Sequence, residues 1–188
     1  MIARHGIALL AVLALTVPAA RGTSLRIDGS RSHAEFGVRL LWLRTVSGRF
    51  AQISGKVTLD AQEQATVDAH IPVASLAMDS ARFRRDVLAP PFFDATNYPR
   101  IHFLSDPVPL ARLTAGGALD GQLSLRGVTR PVRFELLPSQ CSTLTARRCL
   151  IEARGLISRS AFGMTSYRAT VSDQVQLGLL IALDPSSD

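Results

Sequence analysis

Few residues of the 188-residue chain combine type and spacing in a way that could do chemistry. Ser32, His33 and Glu35 stand together, and a hydroxyl, an imidazole and a carboxylate are the parts of an acyl-transfer triad. They also sit at the entry of one alternating segment, where neighbours point to different faces, so they read as a hydrogen-bonded turn leading into a strand. Asp86 next to Arg84 and Arg85 reads as an ion-paired helix face, not as an acid/base couple. Cys141 and Cys149 are the only two cysteines. They lack the Cys-x-x-Cys spacing of redox couples and flank a polar stretch suited to a hairpin turn. One disulfide, two free thiols or a metal site are the alternatives. In an oxidising compartment the disulfide is the simplest, and closing so short a loop is worth about 2–3 kcal/mol. None of His33, His70 or His102 is near the cysteines in sequence, so no metal site is assigned. There is no Gly-x-Ser-x-Gly elbow, His-Glu-x-x-His pair, phosphate-cradling loop or dinucleotide fingerprint. No catalytic residue is assigned, no cofactor is called for, and the protein is not expected to be an enzyme.

Composition narrows the remaining classes. Hydrophobic residues make up 47% and charged residues 19%, enough for a sizeable core and too apolar for wholesale disorder. The formal charge of +6 comes from 21 Lys and Arg against 15 Asp and Glu. The cations are nearly all Arg and scattered, with no stripe of aromatics between them, so nucleic acid is not an expected partner. The first residues stand apart. Arg4 supplies an early positive charge, residues 7–17 form a short apolar run, and Pro18, Ala19, Ala20, Arg21 and Gly22 follow. That order is a secretory signal, with cleavage after Ala19 or Gly22. The run is well short of the roughly 20 apolar residues needed to span a bilayer. Residues 1–22 are therefore read as a signal peptide and 23–188 as one exported domain, not membrane-spanning once the signal is gone.

The elements that must carry the site show the strand period of two. Ala65, Val67, Ala69, Ile71 and Val73 alternate with polar neighbours, as do Val132, Phe134 and Leu136. Val171, Val175, Leu177, Leu179, Ile181 and Leu183 keep one parity, and shorter runs recur at Ala34-Phe36-Val38, Val57-Leu59 and Leu119–Leu125. Turn signals such as Asp28-Gly29-Ser30 and Arg126-Gly127 separate them. Only residues 79–88 read as helix, with Asp79 or Ser80 as N-cap and Pro90-Pro91 as the stop. The chain is thus all-β, an antiparallel barrel or sandwich of about eight strands with a short helix. Only eight Phe, two Tyr and one Trp are available to fill its interior. A barrel lumen lined by Val, Ala, Leu and Gly would be apolar and partly empty, which suits a long greasy ligand, while a well-packed sandwich remains the alternative.

Several motifs, taken together, resemble the YceI-like, polyisoprenoid-binding family. They are Ser32-His33-Ala34-Glu35-Phe36-Gly37-Val38, Val46-Ser47-Gly48-Arg49-Phe50, Phe92-Phe93-Asp94, Tyr98-Pro99-Arg100-Ile101-His102-Phe103, Leu125-Arg126-Gly127-Val128-Thr129-Arg130-Pro131-Val132 and Arg159-Ser160-Ala161-Phe162-Gly163-Met164. The likeness is colinear from about Leu25 to Leu183. It implies an extended, lipocalin-like antiparallel barrel, bacterial and often periplasmic, holding a long-chain isoprenoid or related lipid such as a quinone. Gly48 and Gly55 would then serve bends or bulges. Leu40 and Leu88 stand where the family commonly has His, which implies a different or smaller head group. The expected lining is Phe36, Val38, Phe50, Phe83, Phe92, Ile101, Phe103, Leu123, Leu125, Phe134, Phe162 and Met164, with Arg85 as head-group candidate. A non-enzymatic lipid-binding protein is the leading expectation. An accessory protein of a quinone-linked envelope redox enzyme and a filled structural barrel are the alternatives.

Overall fold

The computed structural model describes residues 23–139 and 149–184. The expected signal peptide and Cys141 lie outside the described residues. Twelve strands form one sheet. In chain order they are β1 (Thr23–Arg26), β2 (His33–Leu40), β3 (Arg44–Phe50), β4 (Ser54–Leu59), β5 (Gln64–Pro72), β6 (Leu76–Ala77), β7 (Arg100–Ser105), β8 (Val108–Pro109), β9 (Gly117–Leu125), β10 (Val128–Leu136), β11 (Ile151–Ser158) and β12 (Val171–Ile181). Neighbours run β1-β4-β5-β7-β9-β10-β11-β12-β2-β3-β6, with β8 beside β5. Every pairing is antiparallel, as in a lipocalin-like all-β fold. The strand number exceeds the expected eight, partly because β1, β6 and β8 are only two to four residues long.

The sheet curls until its β1 edge reaches the end of β12. Ile27, just past β1, bridges Leu183, just past β12. Asp28 N–H donates to Ala182 C=O at 2.9 Å, and Asp184 N–H to Arg26 C=O at 2.8 Å. Beside them the buried Ser32 hydroxyl accepts from Ala182 N–H at 2.9 Å. Ser32 is thereby committed to the barrel seam. His33 and Glu35 share the opposite face, with Nε2 of His33 3.2 Å from the carboxylate, so no triad forms.

Apolar parity builds a single core. Ala34, Phe36, Phe50, Val57, Ala69, Ile71, Ile101, Phe103, Leu123, Leu125, Phe134 and Ala153 are all buried within it. Its packing corrects two expectations. Gly48 is no bulge. It pairs in register with Phe36, and a Cβ there would lie 2.5 Å from the Phe36 ring. Gly155 likewise faces Phe134, whose ring would be 2.8 Å from an added Cβ. The small inward residues therefore seat aromatic rings instead of leaving space. Gly55 is also in regular register, but its φ of +145° presses the backbone against β5. The irregularity in the ladders lies elsewhere, between Val171 and Val175 of β12 against β2.

Helix α1 (Ala81–Leu88) begins where expected, capped by Ser80, whose hydroxyl accepts from Phe83 N–H at 3.3 Å. It is joined by a second, four-residue helix, α2 (Arg112–Ala115), and short 3-10 turns at Val73–Ser75 and Arg159–Phe162. The expected Asp86 ion pair is not among those of the described residues. Arg84 instead donates to the carbonyls of Leu76 at 2.6 Å and Ala74 at 3.0 Å. That fork pins α1 to the segment linking β5 and β6.

Candidate functional site

The sheet encloses a cavity of about 150 Å³ with an almost wholly apolar wall. Of the expected lining, Phe36, Val38, Phe50, Phe92, Ile101, Phe103, Leu123, Leu125, Phe134 and Met164 surround it. Val38 is only half-buried, whereas the other strand positions among these are buried. Three expected contributors do not reach it. Phe162 is buried but lies in the 3-10 turn behind the wall. Phe83 is half-buried one helical turn before Val87, and Val87 is the α1 residue that lines the cavity. Arg85 is exposed, absent from the wall and forms no ion pair among the described residues.

Phe93 was not expected at the site, and it plugs the cavity. Its ring meets Phe36 at 5.8 Å and Phe50 at 5.5 Å between centroids, in edge-on contacts. Phe103 and Phe134 form a further edge-on pair at 5.1 Å. Phe92 stacks on Tyr167 at 5.7 Å, joining the segment after α1 to the loop before β12. The Phe-Phe pair in the sequence was the available signal, but only the fold shows that both rings turn toward the lumen.

Arg159 is the cation of the wall, and periodicity could not have found it. It is 2% exposed. Its guanidinium donates to the carbonyls of Met164 (2.5 Å), Ser166 (2.8 Å), Ser172 (2.9 Å) and Val171 (3.0 Å). Burial pushes its pKa down, Asp173 pushes it up, and Arg168 lowers it further. With its donors spent on backbone, Arg159 shapes the loop at residues 160–170 and offers little to a ligand. Asp173 closes the same knot by accepting from Ser158 and from Ser160 Oγ at 2.9 Å, and these bonds hold its carboxyl below the usual range.

Outside the lumen, the fold brings together residues that are 34 positions apart in sequence. His102 of β7 and His70 of β5 face each other; His102 is hydrogen-bonded to Asp68 at 2.8 Å, and Nε2 of His70 lies 3.1 Å from the same carboxylate. A separate outer groove of about 1,200 Å³ runs past Glu35, Arg49, Arg133, Glu135 and Arg154, a wall of mixed charge. Within it Arg133 is bound bidentately to Asp120, at 2.6 and 2.9 Å. Cys149 is buried.

Comparison with known proteins agrees with this architecture. The chain is 27% identical over 176 residues to Protein YceI of Salmonella arizonae, covering 89% of this chain and 90% of that one. BcnA of Burkholderia cenocepacia superposes with a TM-score of 0.67 at 21% identity, over 82% of this chain and 98% of that one. A polyisoprenoid binding domain from Saccharophagus degradans, implicated in plant cell wall breakdown, superposes with a TM-score of 0.60 at 14% identity, over 87% and 99%. The pattern defining the YceI-like domain matches residues 25–183, which span the sheet from β1 to the bridge beyond β12, and the chain belongs to that family.

Proposed function

We propose that this protein is an exported, periplasmic, non-enzymatic carrier that shields the apolar chain of an isoprenoid or similar amphiphile inside its barrel. The apolar, ring-plugged lumen carries this reading, and the polyisoprenoid-binding relative supports it. Burial of apolar surface yields about 25 cal/mol per Å². A lipid offering several hundred Å² needs few polar contacts to bind, even after association costs. The wall supplies few, which favours binding by shape and area.

Size sets a condition on loading. A cavity of about 150 Å³ is of the order that admits one benzene ring. Pockets for larger ligands run about 300–1,000 Å³. Loading with a long chain therefore requires the wall to open. Val87, Phe92 and Phe93 are the wall residues that lie outside the strands on the α1 segment, so that segment can open by releasing the Arg84 bonds to Leu76 and Ala74 without breaking the strand ladders. Export also makes Cys141 and Cys149 a local disulfide, which thiol labelling of unreduced, denatured protein tests.

The deciding experiment is organic extraction of natively purified protein, with mass spectrometry of the extract. A stoichiometric long-chain lipid is the expected result. A quinone would favour the redox-accessory variant. An empty extract, with no saturable uptake of polyprenols or quinones afterwards, would overturn the carrier reading in favour of a filled structural barrel.

A further inference from the structure

On the outer face of the sheet, His70 stands directly opposite His102 across the β5–β7 ladder. The strand period places Asp68 on the same face. The imidazoles are parallel within 5°, with centroids 4.4 Å apart. Nε2 of His102 lies 2.8 Å and Nε2 of His70 3.1 Å from the same Asp68 oxygen, Oδ1. One donor atom from each residue lies within 4.8 Å of the other two. Lys56 is the register partner of Asp68, yet no Lys56–Asp68 ion pair occurs among the described residues. All three side chains keep 31–44% of their exposure, so a solvated ion has access.

We propose that Asp68, His70 and His102 form a binding site for a divalent transition-metal ion of the zinc or copper type. Two imidazoles and a carboxylate are a borderline-soft donor set, unlike the oxygen cages of magnesium and calcium. Metal–nitrogen bonds of about 2.0–2.1 Å put tetrahedral ligand atoms roughly 3.3 Å apart, inside the observed 4.8 Å span. Binding takes each imidazole as its neutral Nδ1–H tautomer, with the Nε2 lone pair on the metal, and swings the rings out of their stack so both lone pairs converge. Three protein ligands leave one position for water.

The test uses tag-free, chelator-stripped protein titrated with Zn²⁺ by calorimetry and with Co²⁺ by visible absorption. Saturable binding of one ion is expected, with the absorption of low-symmetry Co²⁺. His102→Ala and His70→Ala should each weaken binding by at least the roughly 10- to 100-fold that even an outer-shell change costs. Melting curves confirm that both variants fold. Absence of saturable binding in the parent protein, or unchanged binding in the folded double variant, overturns the site.

A different observation concerns the hairpin between β2 and β3. Leu41, Trp42 and Leu43 are 55%, 73% and 93% exposed. Leu41 and Trp42 both have positive φ, 48° and 62°, in a turn that ordinarily selects Asn or Gly. Leu41 N–H donates to Thr170 C=O at 2.7 Å, which holds the tip beside Tyr167, itself 60% exposed. Tyr167 stacks on Phe92, and Phe92, Val38 and Val171 line the lumen just behind. Arg39, Arg44 and Arg168 are exposed around the tip, and none forms an ion pair among the described residues.

We infer that this tip docks on an anionic phospholipid surface and places the lumen mouth there; its use in lipid exchange rests on the carrier reading above. Trp and Tyr favour the membrane interface, and cations are attracted to an anionic leaflet within a Debye length of its surface. Trp42 is the only tryptophan of the chain, so its fluorescence reports the tip directly. Phosphatidylglycerol-containing vesicles should blue-shift its emission, and brominated lipid should quench it, with a much weaker response to pure phosphatidylcholine. Leu43→Ser should reduce co-sedimentation with the anionic vesicles several-fold, and the Arg39→Glu/Arg44→Glu variant should abolish it. A Trp42 that stays water-exposed on anionic vesicles overturns docking, as does one shielded only by a protein partner. Lipid loading from a soluble donor is measured in parallel, so docking can fail while the carrier reading stands.

Discussion

Asp28 shows how one carboxylate holds the seam of the barrel. It accepts from Ser30 N–H at 3.0 Å and Ser30 Oγ at 2.6 Å, and from Arg31 Nε at 2.6 Å. Arg31 reaches on to Leu183 C=O at 3.0 Å. These bonds, those from Ser30 first and that from Arg31 next, bring the Asp28 pKa down from 3.8 to about 2. A folded-state pKa below the unfolded one means the contribution is complete above 3.8 and disappears as pH falls toward 2. Asp28→Asn should therefore melt lower than the parent at pH 6, with the gap closing between pH 4 and pH 2. A gap independent of pH would show that the charge is not what matters. Arg159 belongs to the same scale. Its planar fork serves four carbonyls at once, which the three donors of a lysine ammonium cannot match in geometry. Arg159→Lys should cost about 1–3 kcal/mol, the penalty for leaving buried acceptors unpaired, read from urea denaturation. An unchanged midpoint would mean water replaces the fork.

At the scale of elements, the strands that alternate cleanly were legible, and those interrupted at inward positions were not. β5, β9, β10 and β12 show their period directly, and α1 shows its cap and its proline stop. β3 and β11 hide theirs. Their inward positions include Gly48 and Gly155, which seat the rings of Phe36 and Phe134, while Leu156 of β11 points outward and is 61% exposed. A glycine registers as absence of pattern, although in the sheet it is half of a ring-on-glycine pair. The same pairs explain why a chain poor in aromatics fills most of its lumen. Parity made the strand part of the cavity wall legible, since all eight expected strand positions surround it; outside the strands, where no period applies, Phe92 and Met164 reach the cavity and Phe83 and Phe162 do not. Arg159 depends on the path of the loop that follows it, whose carbonyls it gathers, and the Asp68–His70–His102 group on contact between distant strands; a single sequence holds no signal for either. Gly55 gives this scale its own test. A Cβ there would lie 1.9 Å from Asp68 O at a φ of +145°. Gly55→Ala should destabilise by at least the roughly 1–3 kcal/mol of a strained backbone position, and parent-like urea denaturation would sink that reading.

For the whole molecule, the question is whether the lumen is a place or a remainder of packing. Two substitutions separate these. Ala153 is 5% exposed, lines the cavity and is cross-strand neighbour to Leu136 and Leu179. Ala153→Leu adds three carbon atoms to the wall, which a cavity of about 150 Å³ can accept without the 1–3 kcal/mol cost of overpacking a dense core. Its melting temperature should stay within a few degrees of the parent, or rise, while the lipid recovered per protein falls, because the added volume competes with the ligand. Leu125→Glu acts through charge instead. Leu125 is 4% exposed in the wall, and a carboxylate there must either remain unsolvated or take up a proton. It should abolish uptake at neutral pH and lower stability, and the isosteric Leu125→Gln should lose uptake less completely. The Ala153 variant carries the decision, since it leaves the fold intact. A folded Ala153→Leu protein that still takes up the parent's full lipid load would place the ligand outside the barrel. If it gains stability and loses lipid together, the empty volume is the binding site, kept at a cost in packing that the bound chain offsets.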